Sequence, residues 1–347
     1  MTLSRRCAHI LGAAVLVVAT ATPGVALSSG AGPAPARGAA GVTSEGTVTL
    51  AVTGYAENGT PASVISASAP GLRTLGADGV NITANGRNVG APDAGTKQLL
   101  ATAHRSGLRA ELLVGNYSED LGDFDQVAAH RLLTGAANRR RVERRLVTFA
   151  AQGWDGIHLD FESLTGDDRK GLTAFTTELR KALPSKVSLS MAVMAGSDRA
   201  EYRSLGYDLA GLAPALDRVV LMAYDQHGPT WSGPGPVGGL PWVRRTLKVL
   251  LAQVPAAKVD LGVAGYGYTW PATGTGRQVS DAEARALARN GRPVWDAVQG
   301  EWHATLGGDE LWWSDACSLQ ARRRLAAGLG LHGLAVWSLG LSDPVRP

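Results

Sequence analysis

The sequence holds only two cysteines in 347 residues, Cys7 and Cys317. Cys7 falls within an N-terminal leader pattern, so the remainder keeps one thiol. A single thiol closes no internal disulfide and builds no multi-cysteine metal site. Charge of one sign is also scarce. The 34 basic and 30 acidic residues leave a formal charge of +4, scattered along the chain, which gives no warrant for a nucleic-acid partner. The densest basic run, NRRRVERR (Asn138–Arg145), follows a helical pattern, includes Glu143 and reads as a solvated helix face. No Gly-x-Gly-x-x-Gly follows the first strand pattern, which weighs against a dinucleotide site. No Gly-x-Ser-x-Gly occurs, which leaves a Ser–His–Asp hydrolase unsupported.

Long apolar runs are missing too, with one exception. Arg5 and Arg6 precede an apolar stretch from Ile10 to about Ala19, and small residues follow. This reads as a secretory signal over residues 1–27, with cleavage after Ala26 or as late as Ala36. The stretch is too short and too early for a spanning helix, and no later one qualifies. A secreted protein is expected, wall-associated or free, with no membrane insertion once the signal is removed. Residues 28–46, with SSGAGPAPARGAAG at their core, are small and Pro-rich and read as a disordered linker.

From residue 47 to 347, strand and helix patterns alternate. Strand candidates are Thr47–Gly54, Gly79–Thr83, Arg109–Val114, Gly156–Glu162, Val187–Val193, Arg218–Tyr224, Val259–Ala264 and Gly333–Ser338. Helical patterns such as RRRVERRLVTFAAQG and LPWVRRTLKVLLAQV lie between them, with Asp315 and the Thr165–Asp168 cluster as N-terminal caps and Gly328 and Gly330 as terminators. Eight such units imply a parallel sheet, either a closed (β/α)8 barrel or an open doubly wound sheet, and the count and length favour the barrel. The interval after the seventh strand is too long for a plain loop. Its helix (SDAEARALARNG) and possible strands (GEWHATL, ELWWS) predict a small α+β insertion over about 269–312.

One strand carries chemistry. In DGIHLDFE, alternation puts Ile157, Leu159 and Phe161 on one face and His158, Asp160 and Glu162 on the other. In a barrel the second set points inward, with Glu162 nearest the C-terminal mouth, where barrel active sites lie. Burying three ionisable groups costs several kcal/mol unless they are paired or used. A self-satisfied polar plug with His158 bound to Asp160 is the structural alternative. A metal site is disfavoured, because ligands at positions 158, 160 and 162 would spread over about 13 Å of strand. No cofactor is expected.

The segment Asp155-Gly-Ile-His158-Leu-Asp160-Phe-Glu162 resembles the strand-four signature Asp-Gly-x-Asp-x-Asp-x-Glu of glycoside hydrolase family 18. VLMAYDQHG (Val220–Gly228), VAGYGYTWP (Val263–Pro271) and LAVWSLGLSDP (Leu334–Pro344) are similar to its later motifs, in the branch that includes spore-cortex and cell-wall lytic enzymes. The resemblance implies substrate-assisted hydrolysis. Glu162 would be the general acid and then base, and Asp160 would hold the substrate acetamide N–H and raise the pKa of Glu162 from about 6.6 Å along the strand. Tyr224 would orient the acetamido carbonyl, Asp225 would contact the sugar or the surroundings of Glu162, and Trp337 would floor the subsite. Tyr55, Trp231 and Trp270 fall near loop-face strand ends, where aromatic rings suit sugar faces and where core or surface packing is the equal alternative for each. Asp155 reads as a tie for the turn into the strand. Two departures stand out. His158 replaces an acid and could pair with Asp160, and LLVGNYS (Leu112–Ser118) lacks the Ser-x-Gly-Gly of many chitinases.

The expectation is therefore a monomeric, secreted glycosidase acting on a polysaccharide, peptidoglycan or chitin. A catalytically silent, lectin-like barrel is the alternative, opposed by the presence of both Asp160 and Glu162. A structural or adhesive wall protein is the remaining rival.

Overall fold

The computed structural model describes residues 50–347; the expected signal and linker lie outside the described residues. Eight parallel strands close into a barrel: β1 (Ala51–Ala56), β2 (Thr74–Asn81), β3 (Arg109–Gly115), β4 (Gly156–Asp160), β5 (Ser188–Met194), β6 (Arg218–Met222), β7 (Val259–Ala264) and β8 (Gly333–Trp337). Their spatial order follows the chain, and β1 pairs with β8 to complete the ring. The fold is a (β/α)8 barrel, as the alternation of patterns predicts.

Each strand buries two faces. Outward residues Ile157 and Leu159 on β4, and Phe161 just beyond it, are almost fully buried against the surrounding helices. Phe161 lies 6.1 Å, ring to ring, from Phe175 on the helix Arg169–Ala182. A fully buried side chain of this size contributes about 2–3 kcal/mol of apolar transfer energy. Inward residues are polar at the N-terminal end of the barrel (Glu111, Ser188, Arg218, Asp260) and aromatic or acidic toward the mouth. Side-chain caps start several helices. Asp315 accepts from Cys317 N–H at 2.8 Å, as expected of it, and Asp125 accepts from Ala128 N–H at 2.9 Å. Gly330, just past the helix Ala316–Gly328, adopts φ +63°, a terminator's conformation.

Several boundaries shift. β2 lies at Thr74–Asn81 rather than Gly79–Thr83, with a register irregularity between Asp78 and Val80. Its first half, Thr-Leu-Gly-Ala, is too small to show an apolar rhythm. β4 and β6 end at Asp160 and Met222, so Glu162 and Tyr224 stand two residues past their strands. The insertion between β7 and β8 exists and begins earlier than expected. Tyr266–Trp270, Gln278–Ser280, Val294–Asp296, Glu301–Leu306 and Asp309–Trp313 form a five-stranded antiparallel sheet. The helix Asp281–Ala288 packs on one face, over Val279, Leu311 and Trp313.

Candidate active site

The acid-bearing turn is held by its backbone. Beyond β4, the Glu162 N–H donates to Asn116 Oδ1 at 2.9 Å, and Asn116 Nδ2 donates back to the Glu162 carbonyl at 3.0 Å. Asn116 Nδ2 also reaches the Asp125 carbonyl at 3.2 Å. The Tyr207 hydroxyl donates to the Phe161 carbonyl at 3.2 Å. Ser163 then turns the chain with φ 56°. Asp225, after β6, has φ 58°. Non-glycine residues rarely hold this left-handed conformation, and such strain gathers where neighbours over-determine the backbone, as at active sites.

Electrostatics place the side chains around one space. Asp160 is 6% exposed and Glu162 half-buried. Burial first, then the negative charges of Asp160, Asp225 and Glu162, push the Tyr224 phenol well above its ordinary range. The Tyr207 phenol is raised by burial and by Glu162 and Asp160. Asp160, Asp225 and Glu162 thus all lie near enough to act on the Tyr224 phenol. Two tyrosines of the insertion complete this side: Tyr266 and Tyr268 donate to Asp225 Oδ1 at 2.6 and 2.8 Å. Burial raises the Asp225 carboxyl above the usual carboxylate range, and those two bonds oppose the rise. Tyr224 packs edge-on to Tyr266 at 6.4 Å, and Trp337, half-buried at the end of β8, lies 5.7 Å from the Tyr55 ring.

Below Asp160 lies His158, 1% exposed. Its Nδ1 is 2.8 Å from Ser190 Oγ and its Nε2 is 3.3 Å from the Tyr55 hydroxyl. Ser190 donates to Glu111 Oε2 at 3.1 Å, and Ser188 donates to Glu111 Oε1 at 2.7 Å. Arg218 bridges Glu111 at 2.5 Å and Asp260 at 3.1 Å, and Asp260 meets His332 Nδ1 at 2.6 Å. Burial drives His158 down to about 4; the Glu111 charge opposes this and Arg218 reinforces it.

Residues 88–341 match the model for glycosyl hydrolases family 18. The chain belongs to that family. It is 26% identical over 282 residues to the uncharacterized glycosylase YvbX of Bacillus subtilis (strain 168), covering 78% of this chain and 81% of that protein. It is 29% identical over 297 residues to the cortical fragment-lytic enzyme of the same organism, covering 80% and 67%. A crystal structure of a chitinase from Chromobacterium violaceum ATCC 12472 superposes with a TM-score of 0.77 at 28% identity, covering 85% of this chain and 96% of that one. The protein is thus a glycoside hydrolase whose relatives include a cortical fragment-lytic enzyme and a chitinase.

Two expectations for this family 18 barrel need correction. His158 does not pair with Asp160, because both ring nitrogens are engaged elsewhere. At 1% exposure it is also closed to substrate, so it is no substrate-binding residue. Trp270 is not an open platform: it is 8% exposed, its Nε1 donates to the Ser232 carbonyl at 3.2 Å, and it packs on Tyr268 at 6.1 Å. Trp231 joins the same cluster, edge-on to Tyr268 at 5.6 Å. Tyr55 is 3% exposed and supports Trp337 and His158 from within the barrel. Asp155 ties the turn before β4, accepting from Ala110 N–H and meeting His104 Nε2, each at 2.9 Å.

Sequence reasoning missed Asn116, Tyr207 and the ion cluster of Glu111, Arg218 and Asp260. The cluster did leave a signal. Each of its members is a charged residue inside a strand pattern, in RAELLVG, RVVLM and VDLGVA. Asn116 left none beyond its place in the departing LLVGNYS segment. Among the described residues, no group of three or more His, Cys, Asp or Glu could hold a metal ion, and no helix is long and apolar enough to cross a membrane.

Proposed function

We propose that the chain is a secreted, substrate-assisted, retaining glycosidase that cleaves β-linked polymers of N-acetylated amino sugars, with peptidoglycan ahead of chitin. The observation that carries this reading is the placing of buried Asp160 at the end of β4 with Glu162 two residues beyond it, and of Tyr224 and Asp225 just beyond β6. Glu162 protonates the glycosidic oxygen, and the acetamido carbonyl oxygen of the substrate attacks the anomeric carbon as that bond breaks. Asp160 accepts the acetamide N–H and offsets the positive charge that develops on the closing ring. The Tyr224 hydroxyl, kept protonated by its surroundings, donates to the acetamido oxygen and aligns it. Glu162, now a carboxylate, takes a proton from the incoming water, which opens the ring with net retention. Trp337 floors the subsite of the reacting sugar, with Tyr55 bracing it. The preference for peptidoglycan is supported by the match to a cortical fragment-lytic enzyme and by Leu112–Ser118, which lacks the Ser-x-Gly-Gly of many chitinases.

The test is incubation of the purified protein with peptidoglycan and, separately, with chitin oligomers, followed by mass analysis of the products. Wild type is expected to release reducing-end fragments, and Glu162→Gln is expected to bind the polymer without releasing any. Equal release by Glu162→Gln overturns the catalytic assignment. Release from chitin alone overturns the choice of polymer. Export is checked by N-terminal sequencing of the protein from culture medium, expected to begin between residues 27 and 37.

A further inference from the structure

A second groove lies where three elements meet. The helix Leu240–Leu251 after β6, the insertion's edge strand Val294–Asp296 with the turn that follows it, and the helix Ala316–Gly328 enclose about 400 Å³. No residue given a role in the catalytic cleft lines it. Leu240, Leu325 and Leu329 are its apolar walls, Trp295 is its aromatic member, and Arg244 and Arg324 are its charged ones. Its frame is fixed. The Leu240 N–H donates to the Gln299 carbonyl at 2.9 Å, which ties the first helix to the turn. Gly300 holds φ 69°, and a Cβ there would lie 2.7 Å from Leu240 Cδ1, so this close approach needs glycine. The half-buried Trp295 ring packs edge-on to Trp302 at 5.5 Å.

The charge in this groove is of one sign. Arg244 and Arg324 are both exposed, and among the described residues neither makes an ion pair or a side-chain hydrogen bond. No acid lines the groove. Asp296, beside it in sequence, accepts from the Val298 and Gln299 N–H groups at 2.8 and 2.9 Å through Oδ1. Two unanswered guanidiniums next to an indole and apolar walls suit a saccharide that carries carboxylates. The ring takes a sugar face and the planar forks take the anions. An uncharged polymer such as chitin would leave both arginines without a partner.

We propose that this groove is a second polymer-binding site: Arg244 and Arg324 hold carboxylates on the peptide side chains of peptidoglycan, Trp295 packs on an adjoining sugar, and the enzyme stays on an insoluble wall between cuts. The proposal rests on the reading of peptidoglycan as the substrate. Both arginines are exposed, so each contact is modest and salt weakens it. The gain comes from holding one polymer at groove and cleft together, which raises the effective concentration of the strand at the cleft. Soluble oligomers too short to reach both places gain nothing from it.

The test is a depletion isotherm of the Glu162→Gln protein on insoluble peptidoglycan, prepared with and without its attached phosphate polymers, and on chitin particles. Adding Arg244→Gln and Arg324→Gln should weaken binding to both peptidoglycan preparations about fivefold, and high salt should abolish the difference. On chitin the same two substitutions should change binding by less than about twofold. In the active protein they should slow release from insoluble peptidoglycan and leave kcat and KM on soluble oligomers unchanged. Equal binding to peptidoglycan with and without the two substitutions overturns the site. A loss confined to peptidoglycan that retains its phosphate polymers overturns the carboxylate as its ligand, and an equal loss on chitin overturns the role of charge. Each of these is distinct from wild type that leaves peptidoglycan uncut, which would defeat the reading of the substrate.

Discussion

Asn116 grips Glu162 by its peptide, not by its carboxyl: one amide side chain accepts the N–H at 2.9 Å and donates to the C=O at 3.0 Å. Glu162 lies beyond the last ladder bond of β4, so this clamp replaces the sheet as the device that aims the acid. Asn116→Ala is expected to lower kcat about 10- to 100-fold through misplacement of the proton donor, with KM little changed. It should also cost about 1–3 kcal/mol of stability for the buried groups left unpaired. Asn116→Asp keeps an acceptor for the N–H but turns an acceptor toward the carbonyl, so it should be no better than Ala. Steady-state kinetics and urea melts check both. An Asp variant with wild-type kcat would show that only the N–H contact matters.

Burial of neutral His158 makes stability depend on pH in a definite direction. The ring titrates near 4 in the folded chain against 6.5 when free. Between those values the unfolded state binds a proton that the folded state refuses, so stability falls as pH drops from about 6.5 and levels off below about 4. The full effect is on the order of 3 kcal/mol. Urea midpoints of wild type and His158→Gln, measured at pH 7 and pH 4.5, should converge at the lower pH relative to their separation at pH 7. Parallel losses in both proteins would place the acid sensitivity elsewhere.

Much of this site is legible in residues 155–162 alone, because three ionisable groups at alternate positions cannot be ordinary barrel filling. The barrel follows from eight repeats of one pattern. What stays hidden is direction. A tryptophan at a strand end reads the same whether it lines a cleft or fills a cluster, as Trp270 does. A histidine beside an aspartate on one face reads as a pair, yet neighbouring strands supply both of its partners. The β2 boundary was hidden by small residues, whose burial leaves no apolar rhythm. Asn116 is one amide in a loop, and only the folded chain brings it 46 positions along the sequence to Glu162.

The insertion tunes Asp225. Two phenols donate to one of its oxygens, opposing a rise caused by burial. Removing them with Tyr266→Phe and Tyr268→Phe lets the rise go further, so the carboxyl holds its proton to higher pH. If ionised Asp225 serves the reaction, the acid limb of kcat/KM moves to higher pH in each single variant and further in the double one, while the alkaline limb stays. The check is a pH profile on soluble oligomers. An unmoved acid limb in the double variant would remove Asp225 from the groups whose charge the reaction needs.

Insertion and barrel are joined by a buried ion pair. Glu301, on the insertion, is fully buried and accepts from Val237 N–H at 2.7 Å and Gly238 N–H at 2.9 Å in the loop that follows Tyr224 and Asp225. Arg322, 2% exposed on the last helix, pairs with Glu301 at 2.8 Å and donates to the Gly300 and Gly238 carbonyls. Burial raises the Glu301 carboxyl, while Arg322 and the two peptide N–H groups restrain it. Arg322→Met strands that charge and is expected to cost about 3–5 kcal/mol. Adding Glu301→Gln removes the stranded charge and keeps an acceptor for the loop, so the double variant should recover part of the loss instead of summing two. Urea unfolding of the four proteins in the cycle measures the coupling. Because the same bonds fix the loop that carries Asp225, the recovery should appear in kcat/KM as well as in stability. Strict additivity of the two losses would mean that the pair is a neighbourhood and not a joint.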